Sequence, residues 1–125
     1  MLGITNEKTL IVTEAYSAKT MGSGVLNVFA TPAMVALMEG TAAESIEASL
    51  EAGSTTVGIK INVEHLAATP LGMEVRCKSV VTAVDGRKIS FEIEAFDACG
   101  LIGKASHDRF IVNAEKFQNK TNEKK

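Results

Sequence analysis

The chain has one helix-length apolar segment, and almost everything after it alternates. Residues 31–51 read TPAMVALMEGTAAESIEASLE. Thr31-Pro32 is a helix opening: threonine is a good N-cap, and proline is tolerated at the first helical position because its missing N–H would be unpaired there. The helix is expected to run to about Glu51, with Gly53 ending it. Downstream, residues 55–66 (TTVGIKINVEHL), 73–84, 87–97 and 101–113 each alternate apolar and polar residues with the period of a half-buried strand. Thr69-Pro70-Leu71-Gly72 breaks the first from the second. Asp85-Gly86 supplies the two positive-φ positions of a type I′ hairpin turn, and Asp97-Ala98-Cys99-Gly100 turns again. A further strand is expected over residues 8–14, then a loop over 15–30 with a short turn of helix.

One strand, one long helix and four strands joined by hairpins predict an α+β fold with an antiparallel sheet wrapped around the helix. One helix cannot cover both faces of five strands. The edges and the remaining apolar surface call for a second copy, so a homodimer or higher homo-oligomer is expected. The 125 residues fit one domain. We place it at 1–114, followed by a polar, charged tail at 115–125 that reads as a frayed helix or a disordered end.

Composition removes several function classes. The net charge is −2 and the basic residues are scattered, so no nucleic-acid partner is expected. No apolar run reaches membrane-spanning length and residues 1–20 hold no signal-peptide block, so no membrane partner is expected. Cys77 and Cys99 lack metal or redox spacing, which suits a reducing cytoplasm. The two histidines, His65 and His107, are not spaced for a metal. No G-x-S-x-G elbow is present, and Gly22-Ser23-Gly24 is not followed by a phosphate-loop helix.

Two ionisable residues break the apolar pattern. Gly40, Glu44, Glu47 and Glu51 share a solvent stripe of the helix, whereas Glu39 falls roughly 110° from its centre, on the flank of the buried face near Val35, Ile46 and Leu50. An unpaired ionised carboxylate there costs on the order of several kcal/mol, so Glu39 needs water or a partner. His65 offers one, because it has the parity of Val57, Ile59, Ile61 and Val63 and points toward the helix. A carboxylate beside an imidazole orients its tautomer and stabilises its charged form. Taken singly, Glu39 reads as a rim residue, His65 as a structural histidine and Thr31 as an N-cap. His107 has Arg109 as its same-face neighbour, with Asp108 between them pointing away to solvent.

Four stretches carry a resemblance: FATPAMVALME at 29–39, VGIKINVEHLAATPLGMEV at 57–75, VDGRKISFEIEAFD at 84–97 and IGKASHDRFIV at 102–112. A-T-P with a Glu eight residues after the Thr, followed by H-x-A-A-T-P, resembles the hot-dog-fold acyl-CoA thioesterases, and most closely the fluoroacetyl-CoA thioesterase-like group. The resemblance implies catalytic roles for Thr31, Glu39 and His65, a backbone N–H at Gly58 that helps hold the thioester carbonyl, and a substrate contact at Arg109. It also implies a dimer with substrate at the subunit interface, and coenzyme A only as part of the substrate, with no other cofactor. Members selective for the fluorinated substrate carry bulky aromatic residues before the Thr. Residues 21–27, MGSGVLN, have none, which points to a general small or medium acyl-CoA and leaves fluoroacetyl selectivity in doubt. Two rivals share the resemblance: a hot-dog hydratase or dehydratase, and a non-catalytic acyl-CoA binding module.

Overall fold

The alternating segments pair into a single antiparallel sheet whose inner face is closed by the long helix. In a computed structural model describing residues 1–125, the elements are β1 (Thr5–Ile11), a 3-10 turn (Glu14–Tyr16), α1 (Ala18–Met21), α2 (Thr31–Glu47), β2 (Ser54–His65), β3 (Glu74–Asp85), β4 (Lys88–Asp97), β5 (Gly100–Asn113) and α3 (Ala114–Asn122). The sheet order is β1-β3-β4-β5-β2. Hairpins join β3 to β4 and β4 to β5, but β2 is not hairpinned to β3 as its sequence position suggested. The segment 66–73 instead carries the chain past two intervening strands, a span of about 14 Å, too far for a tight turn. Both β1 and β2 are therefore sheet edges.

The core follows the helical repeat. Met34, Met38, Ala42 and Ile46 form one fully buried stripe of α2. They pack with Val75, Cys77 and Val81 of β3 and with Ile89, Phe91, Ile93 and Ala95 of β4, all buried. On β5, Gly103 leaves room for the Met34 side chain of α2: an added Cβ there would lie 2.6 Å from Met34 Sδ. The opposite face stays polar. Glu7, Lys78, Glu94, Lys104 and Glu64 form one cross-strand row of alternating charge, which suits a solvated face.

Two boundaries differ from the sequence expectation. The first strand is Thr5–Ile11, three residues earlier than expected, because its register is set by pairing with β3. The helix α2 stops at Glu47. Ser49 N–H and Leu50 N–H bond back to Ile46 and Glu47 carbonyls, and Ser54 N–H to that of Glu51, so residues 48–53 form tight turns instead of another helical turn. The segment after β5 is helical, with Asn113 Oδ1 accepting from Lys116 N–H at 3.0 Å. No helix is long and apolar enough to cross a membrane.

Candidate active site

The start of α2 is fixed by contacts made before the helix begins. Ala30 N–H donates to the Tyr16 carbonyl at 2.9 Å, and Phe29 N–H to the Thr69 carbonyl at 2.8 Å. Thr69 is fully buried, and its hydroxyl donates to Asp97 Oδ2 at 2.8 Å. The A-A-T-P segment thus ties the loop after β2 to the entry of α2. Ala30 is the N-cap, with extended backbone (φ −71, ψ 139) and no side-chain capping bond. Thr31 is therefore the first helical residue and not the cap expected from its sequence position. Its hydroxyl faces the end of β2 instead, with Thr31 Oγ1 2.7 Å from His65 Nδ1.

His65 closes β2 against Phe29, whose ring it meets edge-on at 6.4 Å. Burial pushes its pKa below the ordinary 6.5, an effect the Ala67 backbone partly offsets. The ring is therefore neutral at pH 7, and its Nε2 is buried without a hydrogen-bond partner. Thr31 and His65 open onto a cleft of about 460 Å³ walled by Val25, Leu26, Phe29 and Leu66 among others. A larger groove of about 740 Å³ crosses the polar outer face of the sheet, lined by residues such as Glu7, Lys78 and Glu94, and holds none of the candidate residues.

A second cluster forms at the other end of β2, around a β-bulge. Gly58 pairs with Arg109 and Lys60 with Asp108, so Ile59 is an extra residue. One insertion reverses the alternation of a strand. Thr56 and Gly58 consequently share the inner face with Ile61, Val63 and His65, while Ile59 turns outward and is 53% exposed. This corrects the expectation that Val57 and Ile59 face inward. The missing side chain at Gly58 makes room: a Cβ there would lie 2.9 Å from Glu39 Oε2 and 3.3 Å from both Arg109 Nη1 and His107 Cε1.

Arg109 is the most constrained member of this cluster, with only 8% of its surface exposed. Its Nε donates to Thr56 Oγ1 at 2.8 Å, and its Nη2 donates to the Thr56 carbonyl at 3.0 Å. Nη1 lies 3.1 Å from His107 Nε2 and 3.8 Å from Glu39 Oε2. The Glu39 side chain remains 40% exposed, so a fixed cation sits beside a carboxylate open to solvent.

The five candidate residues thus fall into two groups within one chain. Thr31 pairs with His65, and Glu39 gathers with Gly58 and Arg109. Helix and strand run antiparallel, so one end of α2 lies over His65 and a later turn over Gly58. Thr31 and Glu39 are separated by about 12 Å of helical rise, and Gly58 and His65 by about 20 Å of strand. The partner of Glu39 is Arg109, not His65 as expected. His107 and Thr56 join the cluster without being site candidates on sequence grounds. The available signal was in A-S-H-D-R: His107 and Arg109 have the inward parity of Ala105 on β5.

The match to known proteins covers both clusters. The fluoroacetyl-CoA-specific thioesterase family model matches residues 12–115. The fluoroacetyl-CoA thioesterase of Streptantibioticus cattleyicolor is 38% identical over 97 residues, covering 78% of this chain and 70% of that protein. A crystal structure of the fluoroacetyl-CoA thioesterase superposes with a TM-score of 0.95 at 30% identity, covering 100% of this chain and 97% of the other. A variant of that enzyme in complex with acetyl-CoA superposes at 0.94 with 29% identity, covering 99% and 98%. With its sheet wrapped around one helix and its sequence matched from Val12 to Glu115, this chain belongs to the fluoroacetyl-CoA-specific thioesterase family, a family of hot-dog thioester hydrolases.

Proposed function

We propose that the protein hydrolyses the thioester of a small or medium acyl-CoA to the free acid and CoA, at a site shared between two copies of the chain. The observation that carries this reading is the Thr31–His65 pair, 2.7 Å apart at the mouth of an apolar cleft. Thr31 sits at a helix N-terminus, where partial positive charge favours a developing anion. The neutral imidazole accepts the proton that the attacking water gives up and delivers it to the departing CoA thiolate as the C–S bond breaks. The Glu39 carboxylate activates the attacking water or attacks directly. The Gly58 N–H holds the carbonyl oxygen, a contact of this type being worth roughly 2.7–4 kcal/mol in the transition state. Arg109 contacts the substrate.

A second copy resolves the separation of the two clusters. The strand β2 is a 12-residue edge with Ile59 exposed, and long uncovered edges favour strand pairing. An antiparallel pairing of β2 with its own copy, centred near residues 61–62, lays the His65 end of one strand against the Gly58 end of the other. The partner subunit's Glu39, the partner subunit's Gly58 and the partner subunit's Arg109 then complete the site that Thr31 and His65 begin.

The cleft fits an aliphatic acyl group. Val25 is 84% exposed and Leu26 64% exposed, and both border the cleft. The absence of an aromatic residue from 21–27 leaves room for chains beyond fluoroacetyl. We place the enzyme in the cytoplasm, where Cys77 and Cys99 remain free thiols. Thiol release from an acyl-CoA series, acetyl to decanoyl, tests the reading. We expect turnover that Glu39→Gln and His65→Ala each abolish without unfolding the protein. A folded wild type that binds acyl-CoA and releases no thiol sinks it, and water addition to enoyl-CoA under the same conditions indicates a hydratase.

A further inference from the structure

We infer that His107 is a positioning residue of this site: a neutral imidazole, anchored on the Lys60 carbonyl beside the β2 bulge, that holds Arg109 and through it the Glu39 carboxylate. The inference rests on reading Arg109 and Glu39 as site residues. His107 is 2% exposed and lies with Nδ1 2.7 Å from the Lys60 carbonyl. A carbonyl only accepts, so Nδ1 carries the proton. Nε2 then presents its lone pair to Arg109 Nη1, which only donates, at 3.1 Å. Both contacts demand the same tautomer. A doubly protonated ring would set an N–H against the guanidinium, and the Lys60 carbonyl would satisfy only one of its two donors.

The surroundings favour that neutral state. The charged groups that act on His107 are Arg109 and Asp108 on β5 and Glu39 on α2. On the β4 side it meets Phe91, with ring centroids 6.0 Å apart. Burial lowers its pKa, and Arg109 adds to that, against the Lys60 carbonyl and the two carboxylates. The Arg109 fork is therefore held on Thr56 by Nε and Nη2 and on His107 by Nη1. The bulge sits at the anchor: the register shifts between Gly58 and Lys60, the residue whose carbonyl His107 uses.

A buried histidine that merely fills space predicts lost stability on substitution and nothing else. Nitrogen NMR of the imidazole rings separates the readings, since the chain has only two histidines to assign. We expect His107 as the neutral Nδ1–H tautomer from about pH 6 to 8, on either side of the ordinary histidine pKa. His107→Phe keeps volume and removes both contacts; at equal folded fraction kcat should fall roughly tenfold to a hundredfold, with KM changing less. His107→Gln, which offers an acceptor near the Nε2 position, should recover part of the loss. If the Phe variant does not fold, His107→Asn, which keeps the Lys60 anchor and loses the Arg109 contact, should show the same kcat loss. An Nε2–H tautomer, ordinary titration near pH 6.5, or wild-type kcat in the folded variant overturns the role and leaves the thioesterase reading intact. A wild type without thiol release overturns both.

Discussion

Thr31 Oγ1 lies 2.7 Å from His65 Nδ1, yet Thr31 makes no capping bond to the helix it begins. The hydroxyl is thus separable from the helix start, which Ala30 and its bond to Tyr16 already define. Thr31→Ala should change stability by about 0.5 kcal/mol or less, as for most exposed positions. Turnover should fall roughly a hundredfold or more, the scale of a lost proton-transfer partner. Thermal unfolding and thiol release, measured on the same sample, check the pair. Activity lost only in proportion to folded protein would return Thr31 to a structural role.

Gly58→Ala separates room in the site from stability. The added Cβ meets Glu39 Oε2 at 2.9 Å, the mobile end of a partly exposed side chain, and lies 3.3 Å from the buried Arg109 Nη1 and His107 Cε1, which must give by only a few tenths of an ångström. The backbone at Gly58 is not in the left-handed region, so alanine adopts it freely. We expect stability to change by less than about 1 kcal/mol while kcat falls at least roughly tenfold through displacement of the carboxylate. Wild-type kcat in this variant would show that Glu39 has latitude the reaction does not notice.

Both histidines are held below their ordinary pKa of 6.5, chiefly by burial. The unfolded chain therefore binds protons at a pH where the folded chain does not. Stability from this source is complete above pH 6.5 and is lost as pH falls through the lowered folded values. Urea unfolding across this range should show stability falling on the acid side. In the proposed mechanism the same protonation removes His65 as a base, so kcat/KM should carry an acid limb with an apparent pKa below 6.5. An acid limb at or above that value counts against the burial account.

Much of the fold is legible in the residues. The helix-length segment opened by Thr31-Pro32 marks α2, and Asp85-Gly86 marks the β3–β4 hairpin. Asp85 closes β3 opposite Lys88 and only Gly86 takes a positive φ, so the turn is not the expected type I′. Glu39 and His65 are also legible as residues out of pattern, whereas Thr31 reads as an N-cap and enters the site only through the family resemblance. Their partners are not legible, because each depends on a contact distant in sequence. A single inserted residue at Ile59 reverses the strand's phase, and nothing in G-I-K-I distinguishes an insertion from continued alternation. The cap at Ala30 is set by the Tyr16 carbonyl. The pairing of Glu39 with Arg109 joins residues 70 apart on α2 and β5.

The shared-site proposal has a test that single variants cannot supply. If Thr31 and His65 come from one chain and Glu39 from the other, a mixed dimer of Glu39→Gln and His65→Ala chains holds one intact site. Co-refolding the two inactive variants should then restore turnover that neither has alone. If each chain carried its own complete site, every site in the mixture would hold one substitution. A co-refolded mixture shown to contain mixed dimers and still inactive would rule out sharing.

Gly103→Ala should behave unlike Gly58→Ala, although both glycines lie on the inner face of the sheet. Gly103 pairs with His65 across β5 and β2. An added Cβ would sit 2.6 Å from Met34 Sδ, 2.7 Å from Met34 Cε and 3.1 Å from the Glu64 carbonyl. Met34 is fully buried, so its side chain can move only against packed neighbours. The first turns of α2 must therefore lift from the sheet, at a cost of about 1–3 kcal/mol for overpacking. That displacement also moves Thr31 relative to His65, so kcat should fall by more than the loss of folded protein explains. Met34→Ala alone should cost about 2–5 kcal/mol, but less when combined with Gly103→Ala, because the cavity receives the new methyl group. The coupling is read from a double-mutant cycle of unfolding free energies. Simple additivity would mean that the strain is relieved somewhere other than at Met34.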